Sequence, residues 1–282
     1  MPTSPDTVFF LSDYGTRDEF AGVVRAVLRR LAPTAAVIDL THEVPPFDVA
    51  AGARTLLRAL PHLGPGVVLA VVDPGVGSAR RGVAIGGATD SGPSYFVGPD
   101  NGLLLPAAER DGRAIEAVEL PVRPADLGLA TFDGRDVFAP AVAGLCNGAA
   151  LADVGSPIDA SSLVRLLIPA SRHSTLEDGR AVRWCQVAWV DRFGNLQLSA
   201  SPTVEDPEVF SLVWAADDPK ARRGFTDRMV RRVRAFAELR VGELGVIVDA
   251  NGRLALVVRE GSAAEQLGIG TGHVVGLAEP PA

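Results

Sequence analysis

The sequence has few residues that could bind a metal through sulfur, form a disulfide or anchor the chain in a membrane. Its 282 residues include only two cysteines, Cys146 and Cys185, which lie far apart. This number excludes a disulfide framework and a cysteine-based zinc site, so we expect a reducing compartment, the cytoplasm. No apolar run approaches the ~20 residues that cross a bilayer, and no signal-peptide pattern is visible, so we predict no membrane partner.

Lysine is almost absent, since Lys220 is the only lysine among 27 basic residues. A P-loop, which needs a lysine for its phosphates, is therefore excluded. The net charge of −7 argues against a nucleic-acid-binding protein, which usually carries a basic face. No GxSxG elbow is present, which argues against a serine hydrolase. No GxGxxG follows the first strand, so the ordinary dinucleotide-binding fingerprint is missing. None of the histidines has zinc-site spacing, so we predict no metal site: His42, His62, His173 and His273.

Apolar residues make up 47% of the chain, which predicts a well-filled core. In the first half, short apolar runs alternate with segments of helical periodicity. Residues 8–11, 36–40 and 66–72 are predicted strands, and residues 18–31 and 49–60 are predicted helices. This βαβαβ order predicts a Rossmann-like, mostly parallel sheet.

The pattern changes after residue 167. Residues 168–180 are polar and rich in turn formers, which is typical of a linker. Beyond them, alternating segments separated by turns predict a smaller antiparallel β domain. We therefore predict an α/β fold with an N-terminal α/β domain at 1–167, a linker at 168–180 and a C-terminal β domain at 181–282.

Three acids follow predicted strands of the N-terminal sheet: Asp13, Asp73 and Asp100. Asp73 begins a rigid Asp-Pro-Gly turn, and Arg80 is close enough in sequence to fold back on it. In open α/β sheets, ligands bind outside the carboxyl ends of the strands. A single acid there is usually a turn residue, and Asp73 with its arginine could be a surface ion pair. Three acids at one edge favour a binding crevice.

Seven motifs occur along the chain in a fixed order: LSDYGTRDEFAG, DLTHEVPPFDVAAGA, VVDPGVGSARRG, FVGPDNGLL, TFDGRDVFAPAVA, VDRFGN and GSAAEQLGI. With them the chain resembles the S-adenosylmethionine (SAM) hydroxide adenosyltransferase family, relatives of the fluorinating and chlorinating enzymes. The resemblance covers nearly the whole chain. It implies a homotrimer whose active sites lie between the N-terminal domain of one subunit and the C-terminal domain of its neighbour.

The resemblance implies a metal-independent hydrolase that converts SAM to adenosine and L-methionine. Water or hydroxide attacks C5′ in line, and SAM is the substrate, so no cofactor is expected. A metal is unnecessary because the sulfonium is already an activated leaving group. By resemblance, Asp73 and Arg80 orient the water, Asp13 holds the ribose diol, Asp18 faces the methionine ammonium, and Phe47 packs against ribose or adenine.

The second domain is implied to complete the binding site. By resemblance, its contacts are Asp191, Phe193 and Asn195 to adenine or the methionine end, Phe236 and Glu260 in the adenine pocket, and Asn251 near the methionine carboxylate.

One position departs from the family pattern, because the hydrolases usually carry TFHGRD and this chain has Asp133 in place of the histidine. The water site then becomes Asp73–Arg80–Asp133. Arg80 could bridge both carboxylates, and the second acid could act as a base. Alternatively, the change could weaken or abolish hydrolysis, which leaves a protein that binds adenosine or SAM without turnover. A halogenase is disfavoured, because two carboxylates repel a halide.

Overall fold

The computed structural model describes residues 4–87, 95–110, 115–121, 131–167, 171–215 and 225–281. The chain divides into two compact units, residues 1–167 and 168–282. Within the described ranges, no helix has the length and apolarity required to cross a membrane.

The N-terminal unit alternates strands and helices. Its elements are β1 (Thr7–Ser12), α1 (Phe20–Leu31), β2 (Ala36–Thr41), α2 (Val49–Ala59), β3 (Val67–Val71), β4 (Gly82–Gly87), β5 (Tyr95–Pro99), α3 (Leu105–Ala108), β6 (Ile115–Glu119), α4 (Ala139–Cys146), α5 (Leu151–Val154) and β7 (Ser156–Ile158). A π-helical turn, Gly134–Phe138, leads directly into α4.

Seven strands form one sheet in the order β2-β1-β3-β5-β4-β6-β7. The predicted parallel arrangement is confirmed for β2-β1-β3-β5, and the remaining three pairings are antiparallel. The sheet is therefore mixed. The segment between β4 and β5 has too few residues for the crossover that a parallel neighbour would need, so these strands pair antiparallel.

Helices cover both faces of this sheet. Along β1, Phe10 packs on the face that holds Val24 of α1 and Val142 of α4. Phe9 and Leu11 point to the opposite face, which holds α2 and α3. Every residue of β3 is buried, as expected for a strand covered on both sides. The carboxyl ends of β1 and β3 are thereby fixed side by side.

The C-terminal unit is built almost entirely from strands: β8 (Arg172–Thr175), β9 (Ala181–Val190), β10 (Leu196–Leu198), β11 (Val209–Ala215), β12 (Phe225–Val233), β13 (Leu244–Val248), β14 (Leu254–Val258) and β15 (Val274–Ala278), with α6 (Ala263–Leu267) before β15. The order is β10-β14-β13-β12-β11-β15-β9-β8, and an additional β9–β10 pairing closes seven strands into a ring. All pairings are antiparallel except β12–β13.

Part of the predicted linker is a strand. Residues 172–175 form β8, which pairs with β9, and Trp184 Nε1 donates to Ser174 Oγ at 2.8 Å. All four residues of β8 are exposed, so no apolar alternation marks the strand in the sequence. Residues 168–170 of the predicted linker lie outside the described residues.

Gly98 of β5 allows the close approach of β5 to β3. A Cβ atom at this position would lie 2.1 Å from the carbonyl oxygen of Ala70, a backbone atom of a fully buried strand. We expect Gly98→Ala to lower the free energy of unfolding by about 1–3 kcal/mol, measured by urea denaturation. Gly87→Ala in β4 is the matched control, since its nearest atoms are 3.8 Å away. Equal effects of the two substitutions would contradict this account.

Candidate active site

Asp73 and Arg80 form a paired cluster where β3 ends. Ser78 Oγ donates to Gly75 O at 2.6 Å and accepts from Arg80 N at 3.2 Å, so the loop after the strand folds back. Arg80 Nε then donates to Asp73 Oδ1 at 3.0 Å, and Arg80 Nη2 donates to Asp73 Oδ2. The pairing is bidentate, which is the strongest geometry for a guanidinium and a carboxylate. The guanidinium of Arg80 also lies over the ring of Phe138, with 5.5 Å between Cζ and the ring centre.

Asp133 approaches the same arginine from a different element. It directly precedes the π-helical turn, and Arg80 Nη2 donates to its Oδ2 at 2.6 Å. The side chains of Asp73, Arg80 and Asp133 are only 7%, 10% and 20% exposed. Burial raises the pKa of Asp73, Arg80 opposes the shift, and the charge of Asp133 adds to it. The sequence prediction that Arg80 bridges two carboxylates matches this geometry.

Asp13 and Phe47 lie at the end of the neighbouring strand. Asp13 follows β1, and its backbone N–H donates to Val71 O of β3 at 3.3 Å. Its Oδ2 accepts from the backbone N–H of Phe47 at 2.9 Å. Phe47 has a φ of 67°, which is costly for a bulky residue, and its side chain is 72% exposed. A strained aromatic held open beside an acid is typical of a ligand clamp.

Two other acids lie in different surroundings. Asp18 lies in the segment before α1 and is exposed. Asp100 is buried, and its oxygens accept from Arg81 Nε at 3.0 Å and from Val164 N at 2.9 Å. The oxygens of Asp100 are therefore engaged by Arg81 and Val164, and the expectation that it shares one crevice with Asp13 and Asp73 stays a prediction.

The C-terminal unit has its own polar turn between β9 and β10. Asp191 Oδ1 accepts from the backbone N–H groups of Phe193 and Asn195, both at 2.9 Å, and Oδ2 accepts from Asn195 Nδ2 at 2.8 Å. Gly194 has a φ of +79°, and a Cβ there would lie 2.0 Å from Ser262 Oγ. The turn is thus fixed against the start of α6, with Phe193 69% exposed.

This turn borders an open cleft of about 680 Å³. Five of the predicted C-terminal site residues line it: Asp191, Phe193, Asn195, Phe236 and Glu260. Glu260 has a φ of 55° in the tight turn that a Val258–Gly261 bridge closes. Asn251 is not among the lining residues, since it lies in the turn at the other end of the β13–β14 hairpin. The five residues of β14 separate the two ends, roughly 17 Å along the strand.

Sequence reasoning did not identify Tyr14 as a site residue. Its ring packs against Phe10, Phe20 and Phe132 at 6.4, 5.9 and 5.7 Å between centroids. Its hydroxyl lies against Gly134, where a Cβ would be 2.1 Å from the oxygen. The glycine directly after Asp133 was the available signal. In the described part of the chain, no cluster of three or more His, Cys, Asp or Glu residues could hold a metal ion.

Comparisons with known proteins match both units. The family model for the SAM hydroxide adenosyltransferase N-terminal domain matches residues 8–155, and that for the C-terminal domain matches residues 185–276. An (R)-S-adenosyl-L-methionine hydrolase of Salinispora tropica is 45% identical, covering 94% of this chain and 95% of its own. A fluorinase of Actinoplanes sp. is 28% identical, covering 91% and 92%. The crystal structure of an uncharacterized conserved protein from Thermotoga maritima has a TM-score of 0.78 at 32% identity, covering 95% and 98%.

The raised pKa of Asp73 predicts a pH dependence of stability. The folded state retains this proton to higher pH than the unfolded chain, so the stabilising contribution is complete below the ordinary carboxyl pKa of about 4 and is lost as the pH rises through the raised value. We expect the free energy of unfolding of the wild type, relative to Asp73→Asn, to fall as the pH rises above about 4.

Glu109→Gln is the control of opposite sign. Its hydrogen bond from Arg165 lowers the pKa of Glu109, so its contribution is present above the ordinary carboxyl pKa and is lost as the pH falls through the lowered value. Urea denaturation from about pH 2.5 to about pH 8 measures both differences. A wild-type advantage over Asp73→Asn that grows with pH would contradict the analysis.

Proposed function

This chain belongs to the SAM hydroxide adenosyltransferase family, and we propose that it hydrolyses S-adenosyl-L-methionine to adenosine and L-methionine. The observation that supports the proposal is the buried pair of carboxylates on Arg80, whose oxygens are acceptors of the kind that a water molecule needs. The name of the Salinispora relative adds the (R) epimer at the sulfonium as the expected substrate.

In the proposed reaction, Asp73 and Asp133 accept the two hydrogens of a water molecule. A lone pair of that water then faces C5′, the O–C5′ bond forms as the C5′–S bond breaks, and methionine leaves as a neutral thioether. The water proton passes to a carboxylate. Burial raises the pKa of Asp73, which makes its carboxylate a better base than an exposed one. Because the sulfonium leaves without a proton, positioning supplies most of the catalysis.

The two units supply complementary binding groups. Asp13 and Phe47 are proposed to hold the ribose, with Asp18 at the methionine ammonium. The C-terminal cleft, lined by Phe193 and Phe236, has the size and the aromatic surface that suit adenine. Asn251 stays a prediction from the resemblance.

Each unit carries only some of the proposed site residues. We therefore retain the homotrimer implied by the resemblance, in which the N-terminal unit of one subunit faces the C-terminal unit of its neighbour. Light scattering on the purified protein tests this state. Location in the cytoplasm and activity without a metal are likewise proposals.

One observation favours a second candidate function, a protein that binds SAM or adenosine without turnover. Asp133 replaces the family histidine, so a chemically different group faces the water. A halogenase fits less well, because each carboxylate would repel a halide by roughly 4 kcal/mol at 4 Å and an effective dielectric of about 20.

The reaction is tested by incubating purified protein with the separated SAM epimers in ¹⁸O-labelled water. Hydrolysis places the label on the 5′ oxygen of adenosine, which mass spectrometry detects. Tight binding by calorimetry with unchanged ligand would instead establish the binding protein. Chloride-dependent formation of a chlorinated nucleoside would establish a halogenase.

Asp73→Asn keeps the size of the side chain and removes a base and an acceptor. We expect kcat to fall by about 10²–10⁴-fold while KM changes little, because the water, not SAM, loses its partner. Steady-state kinetics measure both. Glu109→Gln, which lies in an exposed ion pair with Arg165, should keep kcat. Parallel losses in kcat and affinity would remove Asp73 from the water site.

Phe193→Ala removes the most exposed aromatic of the C-terminal cleft. Since base–aromatic stacking is worth about 1–3 kcal/mol, we expect KM for SAM to rise about 5- to 150-fold with kcat retained. Val204→Ala is the control in the same unit, because Val204 is fully exposed and outside the cleft. An unchanged KM would exclude this cleft as the adenine site.

A further inference from the structure

We propose that Tyr14 is a further residue of the reaction, whose hydroxyl donates a hydrogen bond to the attacking water beside the Asp73–Arg80–Asp133 cluster. This inference rests on the proposed function. It assigns a role to a side chain outside the set of acids and aromatics that the sequence singles out.

The position of the hydroxyl is set by Gly134. A Cβ there would lie 2.1 Å from Tyr14 Oη and 3.2 Å from Cζ, so only glycine leaves room for the phenol. Gly134 directly follows Asp133, which binds Arg80. The oxygen of Tyr14 is therefore placed against the backbone that carries the second carboxylate.

The ring of Tyr14 cannot swing away from this position easily. Phe10 and Phe132 contact it edge-on, and Phe20 lies at a tilt. These contacts fix the ring of Tyr14, and its hydroxyl is not part of the aromatic packing. Tyr14 Oη has no hydrogen-bond partner among the residues that the structure describes. A tyrosine hydroxyl in such surroundings normally has a partner, so it is available for a ligand or a water.

The surrounding charges make this hydroxyl a donor. Burial raises the pKa of Tyr14, and the charges of Asp13, Asp73 and Asp133 raise it further, while Arg80 opposes them. The phenol therefore stays protonated throughout the physiological range. Arg80 already donates to both carboxylates. Without Tyr14, a water in the cluster would therefore find hydrogen-bond acceptors but few donors.

A water held in this way has one orientation. Its two hydrogens are donated to Asp73 and Asp133, one lone pair accepts from Tyr14 Oη, and the other lone pair is left to face C5′. Without the phenol, the water can rotate about its two acceptors and loses alignment with the C5′–S bond. The hydroxyl acts on alignment and not on substrate affinity, so its removal should separate kcat from KM.

Tyr14→Phe tests the inference, because it removes only the oxygen and keeps the aromatic packing. We expect kcat for SAM hydrolysis to fall by about tenfold or more, KM to change less than about twofold, and the melting temperature to be retained. Tyr95→Phe, at the only other tyrosine of the chain, is the matched control and should leave both constants unchanged. A Tyr14→Phe variant with wild-type kcat would overturn the inference.

A stability cycle tests the placement of the hydroxyl independently of activity. Gly134→Ala should lower the melting temperature in the wild-type background and lower it much less when combined with Tyr14→Phe, because the 2.1 Å clash is with the hydroxyl oxygen. Additive effects would overturn the placement. A wild-type protein that binds SAM without hydrolysing it would overturn both the proposed function and this inference, whereas an active wild type with an equally active Tyr14→Phe overturns only the latter.

Discussion

The site depends on a single guanidinium shared between two carboxylates. Taking three charges out of water is expensive, and the arrangement persists because the planar fork of Arg80 satisfies Asp73 through two hydrogen bonds and Asp133 through a third. The cluster still carries one negative charge more than positive. Burial raises the pKa of Asp73 against the pull of the arginine, and the charge of Asp133 adds a smaller contribution in the same direction. An excess carboxylate next to a cationic sulfonium is suited to SAM and unsuited to anions.

The architecture of the N-terminal unit decides which acids can serve this cluster. Asp13 and Asp73 leave adjacent parallel strands, and the hydrogen bond from Asp13 N to Val71 O ties the two exits together. Asp133 directly precedes a π-helical turn, a rare conformation that is common at functional sites. Asp100 also follows a strand, but its oxygens accept from Arg81 and Val164. Position at a strand end is thus neither necessary nor sufficient for pairing with Arg80, since Asp133 does not follow a strand and Asp100 pairs with Arg81 instead.

Much of this fold follows from sequence periodicity, and the exceptions have physical causes. The apolar runs of β1 and β3 and the helical spacing of α1 predict their elements to within two residues. β8 escapes prediction because all its side chains are exposed, β7 because none of its residues is buried, and β6 because only two of its five residues are buried. Ordered motifs locate Asp73, Arg80 and the C-terminal cleft residues. They do not locate Tyr14, whose significance depends on a contact with Gly134 that sequence distance conceals.

The backbone bond from Phe47 to Asp13 has a consequence for how a nucleoside is recognised. One carboxylate oxygen is committed before any ligand arrives, so the acid cannot rotate to suit a sugar of different shape. A fixed acceptor of this kind binds a sugar with two correctly spaced hydroxyls most tightly. When one hydroxyl is missing, a desolvated carboxylate oxygen is left without a hydrogen bond, which weakens binding. Under the proposed assignment of Asp13 to the ribose diol, the left-handed backbone at Phe47 fixes the position of the acceptor, so we expect discrimination between ribose and its deoxy analogue to depend on the main chain as well as on side chains.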